Sequence, residues 1–361
     1  MEACRIDLKK EDESYDMLIG NGIIDDFVSE LKIKTASSYV IITDSNVKKY
    51  HSDKLLASLK KKNLNVHQIF FKAGEQSKTR KTKEKIENEM LEIGVKRDSC
   101  IIAFGGGVVG DMAGFVASTY LRGIPYIQIP TTLLAMADSS IGGKVGVDTE
   151  YSKNSIGAFY QPKKVIMDLN FLRTLPKDEF ANGMVELIKH GLIKDKDFFH
   201  FIEKNLGKIF EQDQKILSSA IKRSCEIKSS IVSIDEKETG ARKILNYGHT
   251  IGHAIESALD YKIKHGEAIA VGMHHAAKIS SRLGFLDEGS AIRQDNLLRK
   301  MGFKLKLSHH ELKPGKILRF MENDKKIING KINFILLKSM GDAFVHDGLT
   351  FEDLKEFLEE D

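Results

Sequence analysis

The sequence predicts an α/β fold: an N-terminal Rossmann-like domain built on a parallel sheet, followed by a mainly α-helical C-terminal domain. Three observations carry this reading. Up to about residue 170, short β-rich runs alternate with helical patterns, which implies right-handed βαβ crossovers and a sheet covered on both faces. A glycine-rich turn, Phe104-Gly-Gly-Gly-Val-Val-Gly-Asp111, follows an apolar strand and opens a helix. From Pro176 onward the apolar residues recur at helical spacing over long stretches. The division expected is residues 1–170 and 171–361, with the junction in 160–176, where Gln-Pro and Leu-Pro dipeptides bracket a strand-like 165–168.

In chain order, a strand pair is expected around 4–8 and 15–19, then strands at 39–43, 65–71, 99–104 and 125–129. Helices at 46–62 and 81–94 lie between them. The second half reads as helices at 176–190, 196–209, 214–233, 248–259, 266–282 and 291–301, with a late strand pair near 331–337 and 343–345. No internal repeat or low-complexity tract interrupts this order.

With 361 residues and 42% hydrophobic content, the chain can bury two cores of ordinary size. Fifty-five basic against fifty-one acidic residues leave a net charge of +4, which argues against a nucleic-acid-binding surface and makes any anion site local. Cys4, Cys100 and Cys225 are odd in number and lack CxxC spacing, so neither a disulfide framework nor a cysteine zinc site is expected. The N-terminus has no signal-like pattern and no run reaches the length of a membrane span, so a soluble cytoplasmic protein is expected.

The chemistry-bearing residues fall in four stretches. The GxGxxG spacing of Gly105, Gly107 and Gly110 lets backbone N–H groups approach a phosphate at a helix N-terminus, although no acidic residue follows on a strand about twenty positions later. Asp44, ending the 39–43 strand, is the better candidate for a ribose hydroxyl. The segment 130–146, rich in small and hydroxylated residues, delivers Lys144 beside Gly142 and Gly143, with Lys153 and Asn154 after it, and suits a phosphorylated ligand. Glu186, Lys189 and His190 share one face of an apolar helix, read either as part of a site or as an intrahelical Glu186–Lys189 pair. His249 and His253, four residues apart, leave one side of a helix, and His265 opens the next helical run. Three imidazoles, or two with a carboxylate such as Glu186, could hold a transition metal, with His190 as a rival ligand.

Taken together, IPTTLLAxxDSSxGGKxGV at 129–147, KNSIGAFYQP at 153–162, TLP at 174–176, LNYGHTIGHAIE at 245–256 and HGEAIAVGM at 265–273 resemble the 3-dehydroquinate synthase family. GEQSKT at 74–79 and DKK at 324–326 extend the likeness over nearly the whole chain. The resemblance implies a dehydroquinate synthase-like fold and a homodimeric, cytoplasmic, phosphate-eliminating enzyme of the shikimate pathway that uses NAD and zinc, with cobalt as an alternative ion. Carried over residue by residue, it assigns zinc to Glu186, His249 and His265. NAD falls to Asp44, Glu75, Lys78, Gly106, Gly107, Val108, Asp111, Thr131, Thr132, Asp138, Lys153 and Thr174. Lys144, Asn154, Arg242 and one lysine of the Lys325–Lys326 pair match phosphate-binding positions, and Arg122 matches an arginine given across the dimer. Lys228, Asn246 and His253 match positions near the substrate carboxylate, and Lys189 lies among the substrate hydroxyls.

The implied substrate is a phosphorylated sugar acid, 3-deoxy-D-arabino-heptulosonate 7-phosphate, converted to 3-dehydroquinate and phosphate. The implied sequence is transient oxidation by NAD, phosphate β-elimination, reduction and intramolecular aldol closure, with His253 shuttling the hydroxyl proton. If Lys144, Lys153, Lys189, Lys228 and Arg242 converge, each close pair repels by roughly 2 to 4 kcal/mol, which only a multiply charged anion would offset. Competing readings are the cyclases that make 2-epi-5-epi-valiolone or 2-deoxy-scyllo-inosose, whose substrates lack the carboxylate, and a glycerol-dehydrogenase-like enzyme, which would accumulate NADH. Four positions depart from the family's usual residues: Met136, Val145, Asp148 and His190. Asp148 adds a negative charge close to the expected anion site.

Overall fold

Six short apolar runs form one wholly parallel sheet. In the computed structural model, which describes residues 12–31, 36–150, 152–322, 327–328 and 331–359, these strands are β1 (Asp16–Gly20), β2 (Tyr39–Asp44), β3 (Val66–Phe71), β4 (Cys100–Gly105), β5 (Tyr126–Pro130) and, after a hairpin of β6 (Lys144–Val147) and β7 (Ile156–Phe159), β8 (Lys164–Asp168). Their spatial order is β1-β8-β5-β4-β2-β3. Along β2, Val40 and Ile42 enter one apolar layer while Tyr39 and Ile41 enter the other, so the run is continuous in sequence yet serves both faces. The chain leaves β2 for the edge strand β3 and returns on the other side of β2 to make β4. The C-terminal ends of β2 and β4 therefore border the point where strand order reverses, the place where open parallel sheets bind ligands.

The expected strands that fall within the described residues form, most to within a residue or two, with β11 running four residues beyond its expected end. The strand expected at 15–19 appears as β1 and pairs with β8. Its expected companion at 4–8 lies outside the described residues. The helix expected over 46–62 is divided into Ser45–Val47, a wide π-type turn Lys48–Ser52 and Asp53–Lys61. The β6–β7 hairpin was not expected, because glycine breaks its alternation. Gly146 and Gly157 lie opposite one another, and a Cβ on Gly157 would sit 2.0 Å from the Val145 carbonyl oxygen.

The second half is helical, with a small antiparallel sheet of β9 (Ile327–Ile328), β10 (Lys331–Ser339) and β11 (Asp342–Leu349). Its axis is the Lys177–Lys194 helix, in which every residue from Phe180 to Ile193 is buried. A helix wrapped on all sides cannot hold polar groups without partners, which makes Glu186, Lys189 and His190 conspicuous. The helix His265–Arg282 packs against it, and the helices His249–Ala258 and His265–Arg282 pack against each other. Gly248 and Gly272 make their close crossing: a Cβ on Gly272 would lie 1.9 Å from the Gly248 carbonyl oxygen. Two further helices, Pro314–Glu322 and Phe351–Glu359, were not expected.

Candidate active site

The Lys177–Lys194 helix brings Glu186 to the centre of the second half. Its carboxylate is fully buried, and neither oxygen meets a hydrogen bond of good geometry. Oε1 lies 3.7 Å from His249 Nε2 and 3.5 Å from His265 Nε2, while Oε2 is ion-paired with Lys189, also buried. One donor atom from each of Glu186, His249 and His265 falls within 4.8 Å of the others, as a metal-ligand set requires. The two readings of Glu186 thus coexist: it pairs with Lys189 along the helix and also faces both imidazoles.

The local electrostatics set the three groups differently. Burial disfavours charge on Glu186, yet Lys189, His265 and His249 hold its pKa well below the carboxylate range. His249 is driven down to about 3 by burial and the Lys189 charge, so it is a neutral imidazole. Its Nδ1 lies 3.1 Å from the Tyr247 carbonyl oxygen, which can only accept, so the proton sits on Nδ1 and the Nε2 lone pair faces Glu186. Burial also opposes charge on His265, but Glu186 and Glu256 outweigh it and raise the ring to about 10 in the protein alone. The His253 ring centroid lies 5.2 Å from that of His249 and 6.1 Å from that of His265. His253, Glu256 and His265 form a second grouping of ligand spacing.

His190, the rival ligand, makes a 2.7 Å hydrogen bond through Nδ1 to Ser224 Oγ and turns Nε2 toward Asp138 at 4.0 Å. It shares a third grouping with Asp138 and Glu186. Burial and the Lys189 charge push it down to about 3.

The cations are brought into the same region, but the expectation that they repel one another uncompensated is corrected. Each has a partner within the chain. Lys144 pairs with Glu238, Lys189 with Glu186, and Lys228 with Asp138 at 2.6 Å. Lys153 lies 2.9 Å from Glu256 and 3.1 Å from Glu75. Arg242, buried, donates to the Gly142 and Glu236 carbonyl oxygens. Gly142 is needed there: its φ is +94°, and a Cβ would meet the guanidinium at 2.5 Å. Asn246 donates to Glu238 at 2.5 Å, beside Lys144.

The residues expected to hold a nucleotide mostly gather along the C-terminal edge of the parallel sheet. Asp44 ends β2, Gly106, Gly107 and Val108 follow β4, Thr131 and Thr132 follow β5, and Thr174 closes the turn after β8. Glu75 and Lys78 flank the turn after β3. The Gly107–Thr119 helix starts at Gly106 with no side chain capping it, which leaves its first N–H groups for a phosphate. Asp44 Oδ1 accepts from the N–H groups of Asn46 and Val47. Thr174 Oγ1 is 2.7 Å from His51 Nε2. Buried Lys78 donates to Asp111 at 2.5 Å and to Asn154 Oδ1, linking this edge to a residue expected at the substrate phosphate. Asp138 stands apart from the edge, against Lys228 and the Glu186 group.

Arg122 is exposed in the Tyr120–Arg122 turn, where Leu121 and Arg122 both have positive φ, and no hydrogen bond or ion pair joins it to the other site residues among those described. Lys325 and Lys326 lie outside the described residues. Met136 and Val145 are core residues, Val145 packing against Gly114 of the glycine-loop helix, so these two departures concern packing. Two carboxylates went unnoticed in the sequence, Glu238 and Glu256. A signal existed for Glu256, which follows His249 by seven and His253 by three on the same helix.

Asp148 accepts from the Asn154 N–H at 2.8 Å, and burial, opposed by Lys78, pushes its carboxyl up from the ordinary 3.8 to about 6. The folded protein therefore holds this proton more tightly than the unfolded chain, and stability falls as pH rises from about 4 to about 6, by on the order of 2 kcal/mol. Asp148→Asn is expected to lack that share of the fall. Urea midpoints at pH 4 and pH 7 measure it, and an unchanged pH difference in the variant would count against the assignment.

Comparison with known proteins follows the same lines. A family profile described as 3-dehydroquinate synthase N-terminal matches residues 68–182, and one described as 3-dehydroquinate synthase C-terminal matches residues 183–327. A 3-dehydroquinate synthase of Thermodesulfovibrio yellowstonii is 44% identical over 363 aligned positions, covering 100% of both chains. Among solved structures, a 2-deoxy-scyllo-inosose synthase complexed with carbaglucose-6-phosphate, NAD+ and Co2+ superposes with TM-score 0.87 at 31% identity, over 95% of this chain and 96% of that one. A 2-epi-5-epi-valiolone synthase from Streptomyces hygroscopicus subsp. jinggangensis, with NAD+ and Zn2+ bound, superposes with TM-score 0.90 at 26% identity over 99% of both.

Proposed function

The chain belongs to the 3-dehydroquinate synthase family and is an enzyme of that activity, and we propose how its own residues carry the reaction. It converts 3-deoxy-D-arabino-heptulosonate 7-phosphate to 3-dehydroquinate and phosphate in the shikimate pathway. The observation that supports the division of labour best is Glu186, a buried carboxylate with no hydrogen bond of good geometry among the described residues, whose Oε1 faces two imidazoles while Oε2 pairs with Lys189. A divalent cation satisfies such a group, and the mixed nitrogen and oxygen donors suit zinc, with cobalt as an alternative.

In this reading Glu186, His249 and His265 hold the ion. The sheet edge from Asp44 through Glu75, Lys78, Gly106, Gly107, Val108, Asp111, Thr131, Thr132 and Thr174 holds NAD, with Asp138 and Lys153 on its substrate side. When bound, the ion supplies a Lewis acid and NAD a reversible hydride acceptor. The chain's residues do the rest. His253 takes the hydroxyl proton on a ring nitrogen and returns it. Lys189 positions the substrate hydroxyls beside Glu186. Lys144, Asn154, Arg242 and one lysine of the Lys325–Lys326 pair hold the phosphate, and Lys228 and Asn246 the carboxylate. Charge-assisted contacts at both ends of the substrate fix its register on the metal side.

The same reading makes the enzyme a phosphate-eliminating lyase of the cytoplasm. It is a homodimer in which Arg122, exposed on its left-handed turn, serves the site of a second copy. Residues 1–170 form the NAD-binding domain and 171–361 the metal- and substrate-binding domain. The test is phosphate release from 3-deoxy-D-arabino-heptulosonate 7-phosphate with NAD and zinc. Turnover without net NADH is expected. No turnover of this substrate, with turnover of sedoheptulose 7-phosphate instead, would assign the chain to another cyclase.

A further inference from the structure

Glu256 is 2% exposed, and its two oxygens serve opposite halves of the molecule. Oε2 lies 3.4 Å from Nδ1 of His265, the far side of that ring from Glu186. Oε1 accepts from Lys153 Nζ at 2.9 Å, across 103 positions of sequence. Lys153 in turn lies 3.1 Å from Glu75, beside the turn after β3, and its ammonium stands 4.8 Å from the Tyr261 ring centroid. An unbroken path of charged contacts therefore runs from the candidate metal ligand to the nucleotide edge of the sheet. Along this path the two halves meet at the pair Glu256–Lys153.

We propose that Glu256 is a positioning residue that makes the divalent ion and the dinucleotide bind cooperatively. One of its oxygens orients His265 while the other anchors Lys153. The proposal rests on the placement of the ion at His265 and of NAD at Lys153 given above. A carboxylate behind a ligating imidazole fixes the ring's orientation and tautomer and raises its basicity. A dinucleotide that settles Lys153 also settles Glu256, and so presents His265 already aimed. By linkage the ion must favour the dinucleotide by the same factor. The physical warrant is a single shared side chain, which can be removed from either end. Glutamine has the shape of Glu256 but only one acceptor oxygen, so it can serve His265 or Lys153 and not both.

The experiment uses the full-length, metal-stripped protein. Zinc is titrated against a competing chelator with and without NAD, and NAD is titrated with and without zinc. In the unmodified protein each ligand is expected to tighten the other by about 5- to 150-fold, equally in both directions. Glu256→Gln should weaken zinc alone by about 10- to 100-fold and bring the coupling factor close to one. Lys153→Met attacks the link from the other end and remains informative if the glutamine variant does not fold. It should abolish the coupling while weakening zinc alone less than Glu256→Gln does, with circular dichroism verifying its fold. If both ligands bind the unmodified protein with no mutual effect, or if both variants keep the coupling, the proposal is overturned. If the unmodified protein binds neither zinc nor NAD, the site assignment beneath it fails instead, and the coupling with it.

Discussion

His265→Ala is expected to leave a folded protein that neither retains zinc through gel filtration nor releases phosphate from the heptulosonate phosphate. Removing one of three protein donors should cost more than the roughly 10- to 100-fold in affinity typical of changes behind the ligands. It also leaves the buried Glu186 carboxylate facing one imidazole in place of two. Elemental analysis and the phosphate assay on the same sample read both losses. An active, zinc-replete variant would show that the ion sits elsewhere. The grouping of Asp138, Glu186 and His190 is the place it would then occupy. His249→Ala separates the remaining alternative: zinc should be lost from it as well, whereas a site made of His253, Glu256 and His265 would retain the ion.

Lys189→Met is expected to destabilise the metal-free protein by about 3–5 kcal/mol, because it leaves the Glu186 carboxylate buried without its ammonium partner. Burial then acts on Glu186 with less opposition, since Lys189 is the foremost of the groups that hold its pKa down. Zinc places a cation against the same carboxylate, so its addition should recover a larger part of the thermal midpoint in the variant than in the unmodified protein. Equal zinc-induced shifts in the two proteins would mean that Lys189 and the ion do not share Glu186. Activity should fall as well, since the proposed mechanism gives this ammonium the positioning of the substrate hydroxyls.

The parallel sheet is legible in the sequence because strands buried on both faces must be written as unbroken runs of Val, Ile and Phe, and few other structures require that. The β6–β7 hairpin was hidden by the glycines that permit it. Helical spacing places His249 and His253 on one face, but the separate duties of these residues come from family resemblance, since spacing treats them alike. Glu238 and Glu256 escaped because a lone glutamate in a sequence reads as a solvated one. Only the fold reveals that Glu256 is buried and that Glu238 stands between Lys144 and Asn246. The repulsion expected among the cations failed for a related reason. Their acidic partners lie 94 positions away for Lys144, 90 for Lys228 and 103 for Lys153, distances over which charge pattern carries no information.

Those internal carboxylates alter what it means for substrate to bind. Lys144 and Asn246 already hold Glu238, and Lys228 already holds Asp138, so under the proposed assignment an arriving phosphate or carboxylate enters an ion exchange. The substrate must offer these cations a better-shaped anion than the side chains they release. Affinity is then the difference between two sets of salt bridges, and molecules of equal charge are sorted by how well they fit the vacated contacts.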